Sequence, residues 1–202
     1  MGKGEETRSA VLDEAARVVS ASGLSGLTIG LLADRMQLSK SGLFAHFRSK
    51  EQLQVAVVER AVELYAERVI RPALKAPRGE PRLRALFDRK LRWDDGDLAL
   101  PGGCFFASVS AELDDAPAGP VRDLVVSAER DHAELLANVF RTGISEGHFR
   151  EDADPEQYAY DIRGVLLSYH HASRLLADPK AEDRARTAFE ALLRAARSDV
   201  VE

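Results

Sequence analysis

Apolar residues recur along this chain at the three- and four-residue intervals of an α-helix, and clear strand-like alternation of apolar and polar positions is absent. The first apolar stripe predicts a helix over about residues 5–22, with Gly23 after it as the residue that ends the helix. Because the same spacing continues towards the end of the chain, the pattern predicts an all-α fold of about nine helices.

Two short helices and a long one follow the first, and each has a hydroxyl residue at its start. Thr28 precedes IGLLADRM, Ser39 precedes KSGLFAHF, and Ser49 opens a helix that Pro72 ends. Gln52 stands three residues after Ser49, which completes a capping box. Because only a few residues separate the two short helices, they form a helix-turn-helix, whose second helix can enter a DNA major groove.

The remaining helices lie beyond APRGEP, a stretch rich in chain-breaking residues. This organisation predicts two domains: a helix-turn-helix domain over residues 1–50, which helix four links as far as about residue 70, and a second helical domain over residues 51–202. The helices predicted after the break cover about residues 81–93, 104–113, 120–146, 154–177 and 180–198.

Composition favours an ordinary globular protein of the cytoplasm. Hydrophobic residues make up 45% of the 202, and Cys104 is the one cysteine, which excludes an internal disulfide framework. No apolar run approaches the roughly 20 residues of a membrane helix, and the start lacks the apolar segment of a signal peptide. We therefore expect no membrane partner. We also expect no cofactor and no metal, since the adjacent His170 and His171 point about 100° apart on a helix.

Charge is distributed unevenly, although the net charge is only −5. In residues 1–50 seven lysines and arginines face five acids, whereas the rest of the chain carries 21 and 28. Chance composition explains this small excess equally well. The acid-free stretch from Gln37 to Lys50 is more informative, because Lys40 and Lys50 lie in the first turns of helices, where a cation opposes the helix dipole. Helix N-termini bind phosphate, so this stretch points to nucleic acid.

The segment GLSGLTIGLLADRMQLSKSGLFAHFRSKEQL resembles the DNA-binding domain of the tetracycline-repressor (TetR) family of bacterial regulators. The resemblance covers about residues 5–65, and the rest of the chain matches the family only in its helical plan. It implies a homodimer that binds a near-palindromic double-stranded DNA operator and leaves it when a small-molecule effector binds. The identity of that effector is not readable from the sequence.

The resemblance also implies roles for individual residues. Thr28 caps helix two against a phosphate, His46 and Lys50 hold backbone phosphates, and Leu43 packs inward. The chain departs from the family where Phe44 replaces the usual Tyr, Gly42 replaces Thr or Ser, and Gln37 replaces a turn glycine, which requires a left-handed backbone. Ala45 is left to meet a thymine methyl group. The DNA-binding residues predicted in this way are Thr28, Ser39, Lys40, Ser41, Gly42, Phe44, Ala45, His46 and Lys50.

The second domain contains candidates for a ligand site. His132 interrupts an apolar stripe, and a buried imidazole needs a partner, which is either a core neighbour or a ligand. Aromatic residues in PGGCFFASVSAEL form either core or the wall of a pocket. The ligand-binding residues predicted here are Trp93, Cys104, Phe105, Phe106 and His132.

The last two helices each carry a broad apolar face, which the family uses to build a four-helix dimer core. The dimer contacts predicted from these faces are Ile162, Val165, Tyr169, Phe189 and Leu192. Two rival hypotheses remain: an enzyme that uses Cys104 or His132 in the helical cavity, and a protein that sequesters a ligand without binding DNA. We predict a regulator and no enzyme, because no base accompanies the single thiol in sequence.

Overall fold

The computed structural model describes residues 3–98 and 100–198. These residues form two compact units, the first within Met1–Tyr65 and Gly96–Ala128 and the second within Ala66–Asp95 and Glu129–Glu202. The two compact units therefore differ from the two domains predicted from the sequence, whose boundary lies at residue 50. The described helices are α1 (Lys3–Ser22), α2 (Ile29–Met36), α3 (Lys40–Phe47), α4 (Lys50–Tyr65), α5 (Arg71–Ala73), α6 (Glu80–Asp94), α7 (Phe105–Leu113), α8 (Pro120–Ser145), α9 (Pro155–Arg174) and α10 (Ala181–Ala196).

The all-α prediction is confirmed. A π-helical segment, Ala66–Ile70, joins α4 to α5, so the run from Lys50 to Ala73 is one continuous helix and the described helices number nine. Within residues 3–98 and 100–198 the backbone forms no strand, only one isolated bridge between Phe149 and Arg197.

The π-helical segment has a local physical cause. Pro72 has no backbone N–H and its ring crowds the carbonyl four residues earlier, which belongs to Arg68. The guanidinium of Arg89 donates to that carbonyl at 2.7 Å, which supplies the hydrogen bond that proline cannot make. The helix consequently continues through Pro72 and ends at Ala73, slightly beyond the stop predicted from the sequence.

The first unit contains α1 to α4, α7 and the start of α8. The three predicted hydroxyl caps are present: Thr28 Oγ1 accepts from Leu31 N, Ser39 Oγ from Gly42 N and Ser49 Oγ from Gln52 N, each at 3.1 Å. Each cap satisfies one N–H that the first turn of its helix would leave unpaired. The helix-turn-helix therefore has the bounds that its local sequence predicts.

The second unit packs α6, α9, α10 and the rest of α8 around aromatic pairs. The rings of Phe87 and Phe189 stack at 3.9 Å, and that of Phe140 stacks on Phe149 at 4.3 Å and on Tyr158 at 4.5 Å. Stacked aromatic pairs add to the stability that burial alone supplies. This core fixes the inward faces of the helices and leaves their outward faces for other contacts.

Candidate functional site

Helix α3 presents most of its polar side to solvent. Leu43 and Phe47 are 1% and 3% exposed, and together with Leu32 of α2 they hold the two short helices together. Phe44 is half exposed, which is unusual for a large aromatic side chain. The described DNA-binding candidates that are exposed are Thr28, Ser39, Lys40, Ser41, Gly42, Phe44, Ala45 and Lys50, and His46 is partly buried.

The starts of α2 and α3 meet at Gly30. A Cβ atom placed on Gly30 would lie 3.7 Å from the Lys40 ammonium nitrogen and 3.9 Å from the Thr28 hydroxyl oxygen. The lysine side chain therefore extends across the N-terminus of α2, where the helix dipole is positive and the first N–H groups lack helical partners. One ammonium and one helix N-terminus converge on this point, which is an arrangement that binds phosphate.

The remaining candidates have more varied surroundings. The hydroxyl groups of Ser39 and Ser41 lie 3.2 Å apart, and Ser39 also caps α3, so Ser41 has the freer hydroxyl. Gln37 has the left-handed backbone expected of it, with φ 54° and ψ 38°. His46 lines a groove of about 390 Å³ in the first unit, where the guanidinium of Arg8 lies 5.4 Å from the centre of the Phe47 ring.

The second unit buries a polar cluster at the end of α6. The Lys90 ammonium donates to both carboxylate oxygens of Asp94, at 2.6 and 2.7 Å, although these residues are only 8% and 0% exposed. The neighbouring Asp95 accepts from the hydroxyl of Tyr169, and burial followed by this hydrogen bond raises the pKa of Tyr169. An ion pair in an apolar core adds little stability compared with apolar residues, so such a cluster is a candidate binding site.

His132 of α8 belongs to the same electrostatic environment. Burial, and then the positive charges of Lys90 and Arg163, lower the pKa of His132 to about 3. Burial also lowers the pKa of His170 on α9, and its buried Nδ1 has no hydrogen-bond partner among the described residues. Both imidazoles are therefore neutral at pH 7, and a neutral imidazole offers one donor and one acceptor.

Acidification tests this assignment of His132. Between pH 7 and pH 5 the unfolded chain binds a proton on His132, whose ordinary pKa is 6.5, and the folded chain does not. The free energy of unfolding should therefore fall as the pH falls, by about 1–2 kcal/mol at pH 5 for this residue. Urea denaturation at both pH values should show a smaller fall in His132→Gln. An equal fall in variant and wild type would show that His132 is not the residue responsible.

The predicted ligand residues divide between the two units. Trp93 and His132 lie in the second unit, where Trp93 is fully buried near the end of α6. Cys104, Phe105 and Phe106 lie in the first unit and are buried there. The Phe106 ring meets those of Tyr65 and Phe105 edge to face, at 5.8 and 5.5 Å. These ring contacts make Phe105 and Phe106 part of the packing of the first unit.

The predicted dimer residues lie mostly on the inward face of their helices. Ile162, Tyr169 and Phe189 are 1%, 3% and 3% exposed, and Val165 and Leu192 pack partly buried against the same core. The outward side of α9 carries Tyr160 and Leu167, which are 71% and 62% exposed. The sequence pattern did not indicate these outward residues, because the apolar stripe on the inward side of α9 has more apolar residues.

Metal and membrane sites are not found in the described ranges. Among residues 3–98 and 100–198, no group of three or more His, Cys, Asp or Glu side chains is arranged to hold a metal ion. Within the same ranges, every helix is too short or too polar to span a lipid bilayer.

Solved structures share this fold over almost the whole chain. A TetR transcriptional regulator from Chloroflexus aurantiacus J-10-FL is 27% identical, covers 96% of each chain and superposes with a TM-score of 0.84. A TetR-family regulator from Cytophaga hutchinsonii is 20% identical, covers 98% of each and scores 0.88. AibR, solved in complex with isovaleryl coenzyme A and operator DNA, is 21% identical, covers 92% of this chain and 98% of its own, and scores 0.70.

Comparison of the sequence with protein families agrees with the fold. Among proteins of curated function, none matches the chain significantly. Residues 11–57 match the family described as bacterial regulatory proteins, tetR family, and residues 79–189 match the tetracyclin repressor-like, C-terminal domain. Since the C-terminal match alone spans more than half of the 202 residues, the chain belongs to the tetR family and is a ligand-responsive, DNA-binding transcriptional regulator.

Proposed function

We propose that this regulator is a repressor that binds a near-palindromic operator as a homodimer and leaves it when a small effector binds. The observation that carries the proposal is the convergence of Lys40 and Thr28 at the N-terminus of α2, beside the exposed face of α3. Phosphate contacts of this kind orient a recognition helix but do not read sequence. The exposed side chains of α3 then supply the readout.

The exposed face of α3 has the size and chemistry for a major groove. Its eight residues extend over about 12 Å, and the groove is about 12 Å wide. Phe44 and Ala45 offer apolar contact to thymine methyl groups, and the hydroxyl of Ser41 offers a hydrogen bond to a base edge. We expect Lys50, at the exposed start of α4, and the partly buried His46 to add phosphate contacts.

The outward side of α9 supports the dimer. Tyr160, Gly164, Leu167 and His171 recur at steps of four, three and four residues, so they form one line along the helix. All four are exposed in the single chain, and Gly164 has no neighbour within 4 Å of a Cβ atom placed on it. Leu175 and Leu176, 72% and 63% exposed, extend the apolar surface beyond the helix. We propose that a second copy of the chain covers this surface.

The buried polar cluster of the second unit supports an effector site. We place the effector against His132, with Trp93 and the Lys90–Asp94 pair beside it, because ligand pockets combine apolar walls with a few placed polar groups. AibR was solved in complex with isovaleryl coenzyme A and operator DNA, so a protein of this fold binds a small molecule. We do not transfer that ligand to this chain, since the similarity at 21% identity extends to the fold alone.

Loss of the imidazole should uncouple the effector from DNA release. A panel of small molecules is first screened for compounds that raise the Tm of the wild type, since a ligand of the folded state stabilises it by mass action. Such a compound should release wild-type protein from operator DNA but release His132→Gln at least about tenfold less readily. Asn138→Ala, on the exposed side of the same helix, should respond as wild type does. A normal response in His132→Gln places the effector elsewhere.

A selection experiment tests the proposed function. Wild-type protein is used to enrich duplexes from a randomised library of about 30 base pairs, which accommodates two half-sites one helical turn apart. Members of this family are in general DNA-binding proteins and not enzymes, and we propose the same of this chain. Its place of action is then the bacterial cytoplasm, where the DNA lies. A near-palindromic consensus supports the proposal, and failure to enrich any sequence favours the ligand-sequestering alternative.

A further inference from the structure

Glu112 of α7 lies outside the segment that resembles a DNA-binding domain, yet its carboxylate contacts that segment. Oε2 accepts a hydrogen bond from Leu24 N and Oε1 accepts one from Ser25 N, each at 2.6 Å. Both amides lie in the turn between α1 and α2, 88 and 87 residues earlier in the chain. We propose that Glu112 is a positioning residue for operator binding, an inference that rests on the proposed function.

The turn is shaped around this carboxylate. Gly23 has φ +72°, which favours glycine, and a Cβ atom at that position would lie 2.6 Å from Glu112 Oε2. On the other side, the carbonyl of Leu24 accepts from Gln54 Nε2 at 3.4 Å, and Gln54 belongs to α4. Leu24 is therefore held through its N–H by α7 and through its carbonyl by α4. Its buried side chain adds a third attachment.

The turn between α1 and α2 determines the position of the proposed phosphate-binding groups, Thr28 and Lys40. Thr28 follows Ser25 by three residues and caps α2. The side chain of Lys40 crosses the N-terminus of that helix at Gly30. Because α2 and α3 pack against each other, with Leu32 and Leu43 buried, a displacement of the turn moves both helices. The Glu112 contact consequently sets where Thr28 and Lys40 meet a phosphate.

Helix α7 is itself fixed against α1, so it can hold the turn in place. Gly102, just before α7, donates its N–H to the buried hydroxyl of Ser20 at 3.2 Å. A Cβ atom on Gly102 would lie 2.0 Å from the carbonyl oxygen of Ser20, so the two backbones are in direct contact. Phe105 and Val109, both fully buried, anchor the helix itself. Glu112 thus extends from a helix whose start is attached to the last turns of α1.

The charge of Glu112 and its hydrogen bonds should have opposite effects on DNA binding. A carboxylate beside the DNA-binding helices repels phosphate, so removal of its charge alone should strengthen DNA binding. Loss of the hydrogen bonds should instead weaken binding, because Leu24 and Ser25 no longer hold α2 in place. Asp115, an exposed acid shortly after α7, provides the matched control, since Asp115→Asn removes the same charge and leaves the Glu112 contact intact.

The experiment compares Glu112→Gln, Glu112→Asp and Asp115→Asn with wild type in the full chain. Glu112→Gln keeps the length but not the two charged acceptors, whereas Glu112→Asp keeps the charge but not the reach. Both should bind the duplex selected by wild type about tenfold more weakly, whereas Asp115→Asn should bind it as tightly as wild type or more tightly. Amide hydrogen exchange without DNA should be faster at Leu24 and Ser25 in both Glu112 variants, and unchanged in α4.

Three results would overturn the proposal. The first is that both Glu112 variants bind as tightly as Asp115→Asn. The second is unchanged exchange at Leu24 and Ser25. The third is that the loss of affinity equals the loss of folded protein measured by thermal unfolding, which would make Glu112 a structural residue only. If wild type enriches no duplex at all, the proposed function fails and the positioning role falls with it, whereas the exchange data still report on the contact itself.

Discussion

Leu167→Glu should convert the proposed dimer to a monomer and abolish operator binding at working concentrations. Leu167 is 62% exposed in the single chain, so the substitution should leave the fold of the second unit intact. In the proposed dimer the same side chain is buried against a second copy, where an unpaired carboxylate is strongly unfavourable. A monomer binds one half-site without the help of the other, so operator affinity should fall by about three orders of magnitude.

Sedimentation velocity and fluorescence anisotropy with the selected duplex measure these two effects. Leu74→Glu is the matched control, since Leu74 is also an exposed leucine of the second unit but lies outside α9. That variant should sediment and bind as wild type does. A dimeric Leu167→Glu would place the interface on another surface, and a monomeric wild type at micromolar concentration would remove the dimer from the proposal.

Lys40→Ala combined with Lys50→Ala should weaken operator binding about a hundredfold or more, since the proposed dimer would lose four phosphate contacts. Both lysines are exposed, so the free energy of unfolding should change by no more than about 0.5 kcal/mol. Each cation also opposes the dipole at the start of its helix, so its removal does not cost helix stability. Binding to a scrambled duplex should weaken as well, because phosphate contacts carry no sequence information.

Anisotropy titrations and urea denaturation separate these effects. Lys75→Ala removes the same charge from an exposed lysine of the second unit and should leave operator affinity within about twofold of wild type. Wild-type affinity in the double variant would mean that the phosphate contacts lie elsewhere. A loss of affinity accompanied by unfolding would mean that the lysines support the fold and not the DNA contact.

Local sequence was sufficient for the helix-turn-helix. Thr28 and Ser39 determine the starts of α2 and α3 because each cap acts on an N–H only three residues away. The left-handed backbone at Gln37 followed from the turn geometry that the resemblance implied. The predicted family and the predicted all-α fold are both confirmed. Both could be predicted because the residues that indicate them are neighbours in sequence.

Contacts between distant residues could not be predicted in this way. Glu112 and Leu24 are 88 residues apart, and no local pattern indicates that a carboxylate on one helix accepts from the turn of another. The two sides of α9 illustrate a second limit. Periodicity showed that Ile162 and Tyr169 share a side, but it did not show that the core takes that side and leaves Tyr160 and Leu167 exposed.

The ligand-binding residues remain a prediction. The sequence indicates His132 because it is ionisable on an apolar stripe, and Phe105 and Phe106 because they begin a short helix with aromatic side chains. The two phenylalanines lie in the first compact unit and His132 lies in the second. The Lys90–Asp94 pair was missed because an acid and a base four residues apart on a helix are ordinarily a solvated surface pair.

The most direct test of the account is the affinity of wild-type protein for the selected duplex and for a scrambled duplex between about 50 and 200 mM salt. Wild-type protein should bind the selected duplex at least about a thousandfold more tightly than the scrambled duplex. Its affinity for both duplexes should fall steeply with salt, because phosphate contacts release counterions. Equal affinity for the two duplexes would contradict the claim that α3 reads an operator, and an affinity that does not depend on salt would contradict the phosphate contacts at α2.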